Sequence, residues 1–202
     1  MKKIFIEAKS KEDISEVLTK VKLNCRIGLA SSIQFLDQLK IANKQLKNSI
    51  IAGQVLGCNA DSCRKIKNRV DCFLYIGSGE FHPTRVAIET SKPVYIANPL
   101  TNTFSKLDSK IVENYKKSVQ GKLSKFYRAE KVGIIFSTKS GQNKLAHIES
   151  IKKKIKKETY LFVADFIDTR ELENFPDIDI WVNTACPRIE DKSIINLEDL
   201  RI

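Results

Sequence analysis

The chain has 202 residues, 42% hydrophobic and 29% charged, with a formal net charge of +11 at pH 7, which suits an ordinary globular protein of one compact unit or two small ones. No apolar stretch approaches the length of a membrane-spanning helix, and the apolar run within Met1–Glu7 is too short for a secretory signal, so a cytoplasmic location is expected. Five cysteines, an odd number scattered through the chain, argue against a disulfide framework and for reduced thiols or ligands. In chain order, Lys3–Glu7 reads as a short strand, and Ser10 as a helix cap before Ile14, Val17, Leu18 and Val21 at helical spacing. Cys25–Ala30 is a strand, Ser31 or Ser32 opens a helix, and Ser49–Gly53 is a strand leading into Gln54–Cys58. Asn59 or Asp61 caps a helix through Val70, and Cys72–Ile76 is a strand running into Gly77–Pro83. A helix through Thr90 and a strand at Pro93–Ala97 follow, and Asn98–Asp108 reads as a connector. Ile111, Val112, Tyr115, Val119 and Leu123 mark a helix of several turns. Lys131–Ser137 is a strand, and Gly141-Gln142 begins a helix with Leu145, Ile148, Ile151 and Ile155 on one face and lysines around the others. Glu158–Ala164 is a strand, Thr169–Asn174 a short helix, and Ile178–Asn183 the strand that delivers Cys186.

Strands alternating with helices predict an α/β fold of two similar small domains, each a parallel β-sheet flanked by helices, over residues 1–105 and 106–202. Arg26-Ile27-Gly28-Leu29 and Lys131-Val132-Gly133-Ile134 echo one another, and a duplicated unit would explain why both halves end strands in cysteine loops. The positive charge is mostly lysine, 27 Lys against 8 Arg, and reads first as solvated helix faces. It also favours acidic partners, but aromatics do not interleave with it and no direct nucleic-acid binding is expected.

Chemistry concentrates in loops that follow strands, where the ends of an α/β sheet converge on a crevice. Cys58 and Cys186 each follow an apolar run, flanked by Gly57 and by Pro187 and Arg188. Their thiolates suit an iron–sulfur cluster or zinc, and this reading is preferred over two small core residues. Cys63 stands at a Cys-x4-Cys spacing from Cys58, as a ligand or as a core-facing residue of an amphipathic helix, the core reading being slightly favoured. Cys25 and Cys72 lie in predicted strands and read as core. In Gly77-Ser78-Gly79-Glu80-Phe81-His82-Pro83 the glycines allow close approach to a ligand, and His82 either serves a ligand or proton transfer or stabilises the turn. Gly141-Gln142, at a helix start, is a further candidate ligand loop, and His147 reads as a surface residue.

At these loops the chain resembles the archaeal and eukaryotic diphthamide-synthesis enzymes, 2-(3-amino-3-carboxypropyl)histidine synthase. The stretches that carry the resemblance are Gly53–Cys58 (GQVLGC), Val70–Pro83 (VDCFLYIGSGEFHP), Lys92–Pro99 (KPVYIANP), Lys139–Gln142 (KSGQ) and Asp179–Ile189 (DIWVNTACPRI), in order along nearly the whole chain. The resemblance implies related α/β domains around a [4Fe–4S] cluster, each contributing one cysteine. It implies reductive cleavage of S-adenosylmethionine, with transfer of its 3-amino-3-carboxypropyl group as a radical to a histidine of elongation factor 2. By the same resemblance Cys58 and Cys186 are the cluster ligands of the second and third domains, which the two halves of the chain resemble. Gly77, Ser78, Gly79, His82, Gly141, Gln142 and Arg188 then surround S-adenosylmethionine or the cluster. Glu80 departs from the pattern, standing where the family often has a basic residue.

The chain opens where the family's second domain opens, so the first domain and its cysteine are expected to be absent. A separate chain then supplies the missing thiolate in a homodimer or heterodimer, or Cys63 substitutes, or cluster chemistry is lost. The expected activity is that of the transferase, with an external electron donor and elongation factor 2 as partner. The alternative is a non-catalytic accessory subunit supporting a catalytic partner chain. A quinolinate-synthase-like cluster enzyme and a plain zinc domain rank below both.

Overall fold

In the computed structural model the described residues are 4, 6–57, 59–139 and 148–200. They form an α/β protein of two compact units, Met1–Val112 and Glu113–Ile202. The division falls just inside a long helix rather than before it. Among the described residues no helix is long and apolar enough to cross a membrane.

Unit 1 begins with the short helix α1 (Ser15–Thr19), followed by β1 (Ile27–Ser31), α2 (Leu39–Gln45), β2 (Ser49–Gln54) and α3 (Asp61–Ile66). Then come β3 (Cys72–Ile76), α4 (Phe81–Thr90), β4 (Val94–Asn98) and β5 (Thr103–Lys106). The sheet order is β2-β1-β3-β4-β5. β1 and β3 pair in parallel at the centre and are buried along their whole length, which is why they read as unbroken apolar runs. One face packs Val17, Leu18, Leu29, Leu39 and Leu74, and the other packs Val55, Cys63, Phe73, Tyr75 and Val86. Between β1 and β2 the ladder slips by one residue: Leu29 faces Ile51 but Ala30 faces Gly53, leaving Ala52 as a bulge just before the first cysteine loop.

Unit 2 takes most of α5 (Ser109–Arg128), then β6 (Lys131–Ser137), α6 (Ile148–Ile155), β7 (Glu158–Ala164), β8 (Ile180–Asn183) and β9 (Ile194–Asn196). All its pairings are parallel, in the order β7-β6-β8-β9. α6 turns Ile148, Ile151 and Ile155 inward, and its lysines stand on the remaining surface, as the spacing predicts.

Several elements differ from the sequence expectation. Ile4, Ile6 and Glu7, the described residues of the expected first strand, are not in a strand, and Ile4 and Ile6 are 86% and 90% exposed. With no neighbouring strand to accept their backbone bonds, an apolar alternation alone does not make a strand. The first helix starts later, with the Asp13 carboxylate accepting from the Ser15 N–H at 2.9 Å. The expected connector folds back as β5, antiparallel to β4, through a turn in which Asn102 takes a positive φ of 50°. The sheet of unit 1 is therefore parallel except at that edge. After Cys186 the chain adds β9, which no apolar run of useful length announces.

Candidate functional site

In unit 1 the candidate loops leave the C-terminal ends of β2 and β3. The Val55 N–H donates to the Ser31 carbonyl at 2.8 Å, extending the ladder past β2. Leu56 and Asn59 then close an isolated antiparallel bridge in which each N–H donates to the other's carbonyl. The Asn59 side-chain oxygen accepts from the Asp61 N–H at 2.8 Å and sets the start of α3, and Ser62 Oγ donates to the Gln54 carbonyl at 2.8 Å. Residues 55–57 and 59–62 are thus tied to the sheet end. Cys58 itself lies outside the described residues.

The loop after β3 is anchored by the Gly77 N–H donating to the Ala97 carbonyl at 3.0 Å. Gly77 and Gly79 adopt φ of +151° and +73°. A Cβ at Gly77 would also lie 2.9 Å from the Tyr75 ring, so only glycine fits there. Ser78 and Gly79 are exposed, and the chain enters α4 at Phe81. His82 is half-buried and stacks on Tyr75 with ring centres 5.6 Å apart and planes 13° from parallel. Tyr75 Oη stands 3.3 Å from His82 Nδ1. Burial raises the Tyr75 pKa. The phenol is protonated at neutral pH, and which of the two groups donates depends on the histidine tautomer. His82 is thus held against the strand that precedes its loop. The cysteine loop and the histidine loop meet, since a Cβ at Gly57 would sit 3.9 Å from the Phe81 ring. Beside them the Ser31 hydroxyl, at the end of β1, is fully buried and has no hydrogen-bond partner among the described residues. An unpaired buried hydroxyl costs about 1–3 kcal/mol, which a bound polar ligand would offset.

In unit 2 the site is the loop after β8. Thr184 donates through both its N–H and Oγ to the Ile135 carbonyl, at 3.0 and 2.9 Å. Asn183, 3% exposed, uses its whole amide on this loop. Its Oδ1 accepts from the Ala185 N–H at 2.9 Å, and its Nδ2 donates to the Cys186 carbonyl at 2.8 Å and to Asn196 Oδ1 at 2.9 Å. The Cys186 carbonyl also accepts from the Ile189 N–H at 2.9 Å. Cys186 is a half-buried free thiol whose carbonyl takes two hydrogen bonds, and Arg188, two residues on, is exposed. Sequence reasoning missed Asn183 and Tyr75. The available signal was a large polar group closing an otherwise apolar buried strand. A cavity of about 200 Å³ bordered by Thr169, Phe175 and Trp181 does not include this loop.

A soft metal centre fits the Cys186 loop, where a partly exposed thiol sits on a fixed backbone with a cation at hand. It does not fit Cys63. That thiol is fully buried among Ala30, Val55 and Phe73, and burial pushes its pKa up to about 11, away from the thiolate a metal requires. Of its two sequence readings the core one describes its position. Gly141 and Gln142 lie outside the described residues. Among the described residues no group of three or more His, Cys, Asp or Glu comes together to hold a metal ion.

The sequence family described as "Putative diphthamide synthesis protein" matches residues 1–197. The chain is 35% identical over 195 residues to 2-(3-amino-3-carboxypropyl)histidine synthase of Pyrococcus horikoshii, covering 89% of this chain and 54% of that protein. It is 29% identical over 187 residues to the protein of that name from Methanocaldococcus jannaschii, covering 91% and 51%. The chain therefore spans about half the length of these curated relatives. Among solved structures, Dph2 from Pyrococcus horikoshii superposes with a TM-score of 0.81 at 30% identity, covering 96% of this chain and 62% of that one. The same protein with a 4Fe-4S cluster gives 0.78 at 29% identity, with the same coverage. The family model spans residues 1–197 and the fold superposes over 96% of the chain, so the chain belongs to the diphthamide-synthesis protein family.

Proposed function

We propose that this chain takes part in the first step of diphthamide synthesis, transfer of the 3-amino-3-carboxypropyl group of S-adenosylmethionine to a histidine of elongation factor 2. In this reading Cys58 and Cys186 each furnish a thiolate to a [4Fe–4S] cluster. A further thiolate comes from a polypeptide segment outside the two units, in the same chain or in the partner of a homodimer or heterodimer. Residues 1–105 and 106–202 then stand for the second and third domains of the family. The observation that carries the proposal is the superposition over 96% of the chain on a relative solved with a 4Fe-4S cluster.

The chain's own residues have separable tasks. Asn183 holds the Cys186 backbone through the carbonyl it donates to, so the thiol meets a metal without an ordering cost. Gly77, Ser78 and Gly79 let the backbone approach S-adenosylmethionine, and His82, held by Tyr75, faces it. Gly141 and Gln142 bind the same substrate from unit 2. Arg188 offsets negative charge on the cluster or on the substrate carboxylate. When bound, the cluster would supply the electron, drawn from an external donor, that splits S-adenosylmethionine. The lysine-rich surface steers an acidic face of elongation factor 2 in the cytoplasm. Cys63 stays in the core and takes no part in ligation.

Anaerobic reconstitution of the full chain with iron and sulfide tests this. The wild type is expected to turn brown, Cys58→Ala and Cys186→Ala to lose the colour, and Cys63→Ala to keep it. A colourless wild type, alone and with a chain that supplies the further thiolate, overturns the cluster. A second reading is a non-catalytic accessory subunit that supports a catalytic partner chain. It predicts that the activity of a two-chain complex survives Cys186→Ala.

A further inference from the structure

At the opposite end of the same sheet two further cysteines meet. Cys72 opens β3 and pairs with Ile27, near the start of β1, and Cys25 stands just before that strand. Their sulfurs are 2.7 Å apart. That is inside the non-bonded contact of two sulfur atoms, and within about 1 Å of the bonded separation near 2.05 Å. The backbone on both sides is held in place. The Asp71 carboxylate accepts from the Arg26 N–H at 3.0 Å and from its guanidinium at 3.3 Å. The Arg26 carbonyl accepts from the N–H groups of Asp71 and Cys72 at 2.8 and 3.3 Å. Arg26 follows Cys25 and Asp71 precedes Cys72, so this clamp fixes both cysteines from the adjacent residue. Cys25 is half-buried and reachable from solvent, while Cys72 is only 2% exposed.

The geometry points to Cys25 and Cys72 as a reversible dithiol–disulfide pair, oxidised by low-molecular-weight disulfides. Two side chains read as core from the sequence therefore acquire a chemistry of their own. The Cys25 thiolate attacks one sulfur of the small disulfide and expels a thiolate, which takes up a proton, leaving a mixed disulfide on Cys25. Cys72 gives its proton to solvent and attacks Cys25 Sγ, expelling the second small thiolate. Two protein S–H bonds are lost, one S–S bond forms, and the small disulfide is reduced to two thiols. Burial raises the Cys72 pKa, which makes Cys25 the entry point and Cys72 the resolving thiol. The bond would tie positions 47 residues apart and so restrict the unfolded chain. The pair sits at the starts of β1 and β3, and the candidate loops leave the ends of β2 and β3, so the proposal is independent of the function proposed above.

The test uses the full chain, incubated with oxidised glutathione at graded ratios to reduced glutathione, quenched by alkylation and mapped by mass spectrometry. The expected product is a cross-linked pair of peptides carrying Cys25 and Cys72, with the intact mass lowered by about 2 Da. Its melting temperature should rise, and dithiothreitol should reverse both changes. Cys72→Ser should trap glutathione on Cys25. Should that variant fail to fold, Cys25→Ala, at a half-buried position, must abolish the cross-link and the rise in melting temperature. Glutathione held on Cys25 in the wild type without resolution, or a cross-link to any other cysteine, overturns the assignment.

Discussion

The centres of the two units are built alike and their functional ends are not. In unit 1, Gly28 of β1 lies opposite Phe73 of β3, and in unit 2, Gly133 of β6 lies opposite Trp181 of β8. Each glycine leaves room for the neighbouring ring to lie over the strand. A Cβ would fall 2.5 Å from Phe73 in the first case and 2.3 Å from Trp181 in the second. Each aromatic strand is preceded by an aspartate with one task. Asp71 accepts from the Arg26 N–H, and Asp179 from the N–H groups of Glu130 and Lys131 at 2.8 and 2.9 Å. The echo between the two four-residue stretches thus has a structural cause, a glycine made necessary by a ring on the next strand. The cysteines do not follow the echo. Cys186 comes after β8, the counterpart of β3, whereas Cys58 comes in sequence after β2, the counterpart of β7. In unit 1 the position equivalent to Cys186 belongs to the glycine loop. A duplicated sheet explains the shared core and leaves the two thiols unexplained.

The largest effects should come from the shared core. Gly133→Ala is expected to cost about 3 kcal/mol in urea unfolding, and Gly28→Ala about 2 kcal/mol because the six-membered ring has less bulk to displace. Shrinking the ring in the same chain, Gly28→Ala with Phe73→Leu, should recover part of the loss. A Gly133→Ala protein as stable as the wild type would break the parallel. Next, Asn183→Ala should cost about 2 kcal/mol, since it strands the Ala185 N–H and leaves the Cys186 carbonyl with the Ile189 N–H as its one donor among those described. The same change should lower iron retention after reconstitution, which a purely structural role would not do. Cys63→Ser should cost about 1–2 kcal/mol by placing a hydroxyl in the core, and Cys186→Ser less than about 0.5 kcal/mol. Equal costs would erase the contrast between core thiol and loop thiol.

The smallest effect concerns the paired aspartates. Backbone N–H groups hold both carboxyls below their ordinary pKa. Their stabilisation is complete above the unfolded carboxylate value near 4, and is lost as pH falls through the depressed folded value. Asp71→Asn and Asp179→Asn should each lower the melting temperature modestly at neutral pH, and the gap to the wild type should close progressively below about pH 4. A gap that persists in acid would assign the effect to something other than charge.

The central strands were legible because burial on both faces leaves an unbroken apolar run, as in Cys72–Ile76 and Lys131–Ser137. β5 was hidden because Thr103-Phe104-Ser105-Lys106 is an edge strand with one ring to bury, and its pairing depends on the turn before it. The cysteine loops announced themselves through glycine and proline. Their supports did not, since Tyr75 and Asn183 sit inside strands and earn their roles only through neighbours distant in sequence. Cys63 could not be assigned from spacing, because its fate turns on which face of α3 meets the sheet.

The one-residue slip between β1 and β2 has a bearing on how this fold tolerates change. Removing Ala52 would leave Ile51 and Gly53 with the partners they already have, and would convert a bent ladder into a continuous one. Every paired side chain would keep its face, yet the strand would straighten and the segment beyond Gln54 would aim elsewhere. At this edge the direction of the first cysteine loop is encoded by residue number rather than by residue type. A single-codon deletion there could disarm the protein while making its sheet more regular.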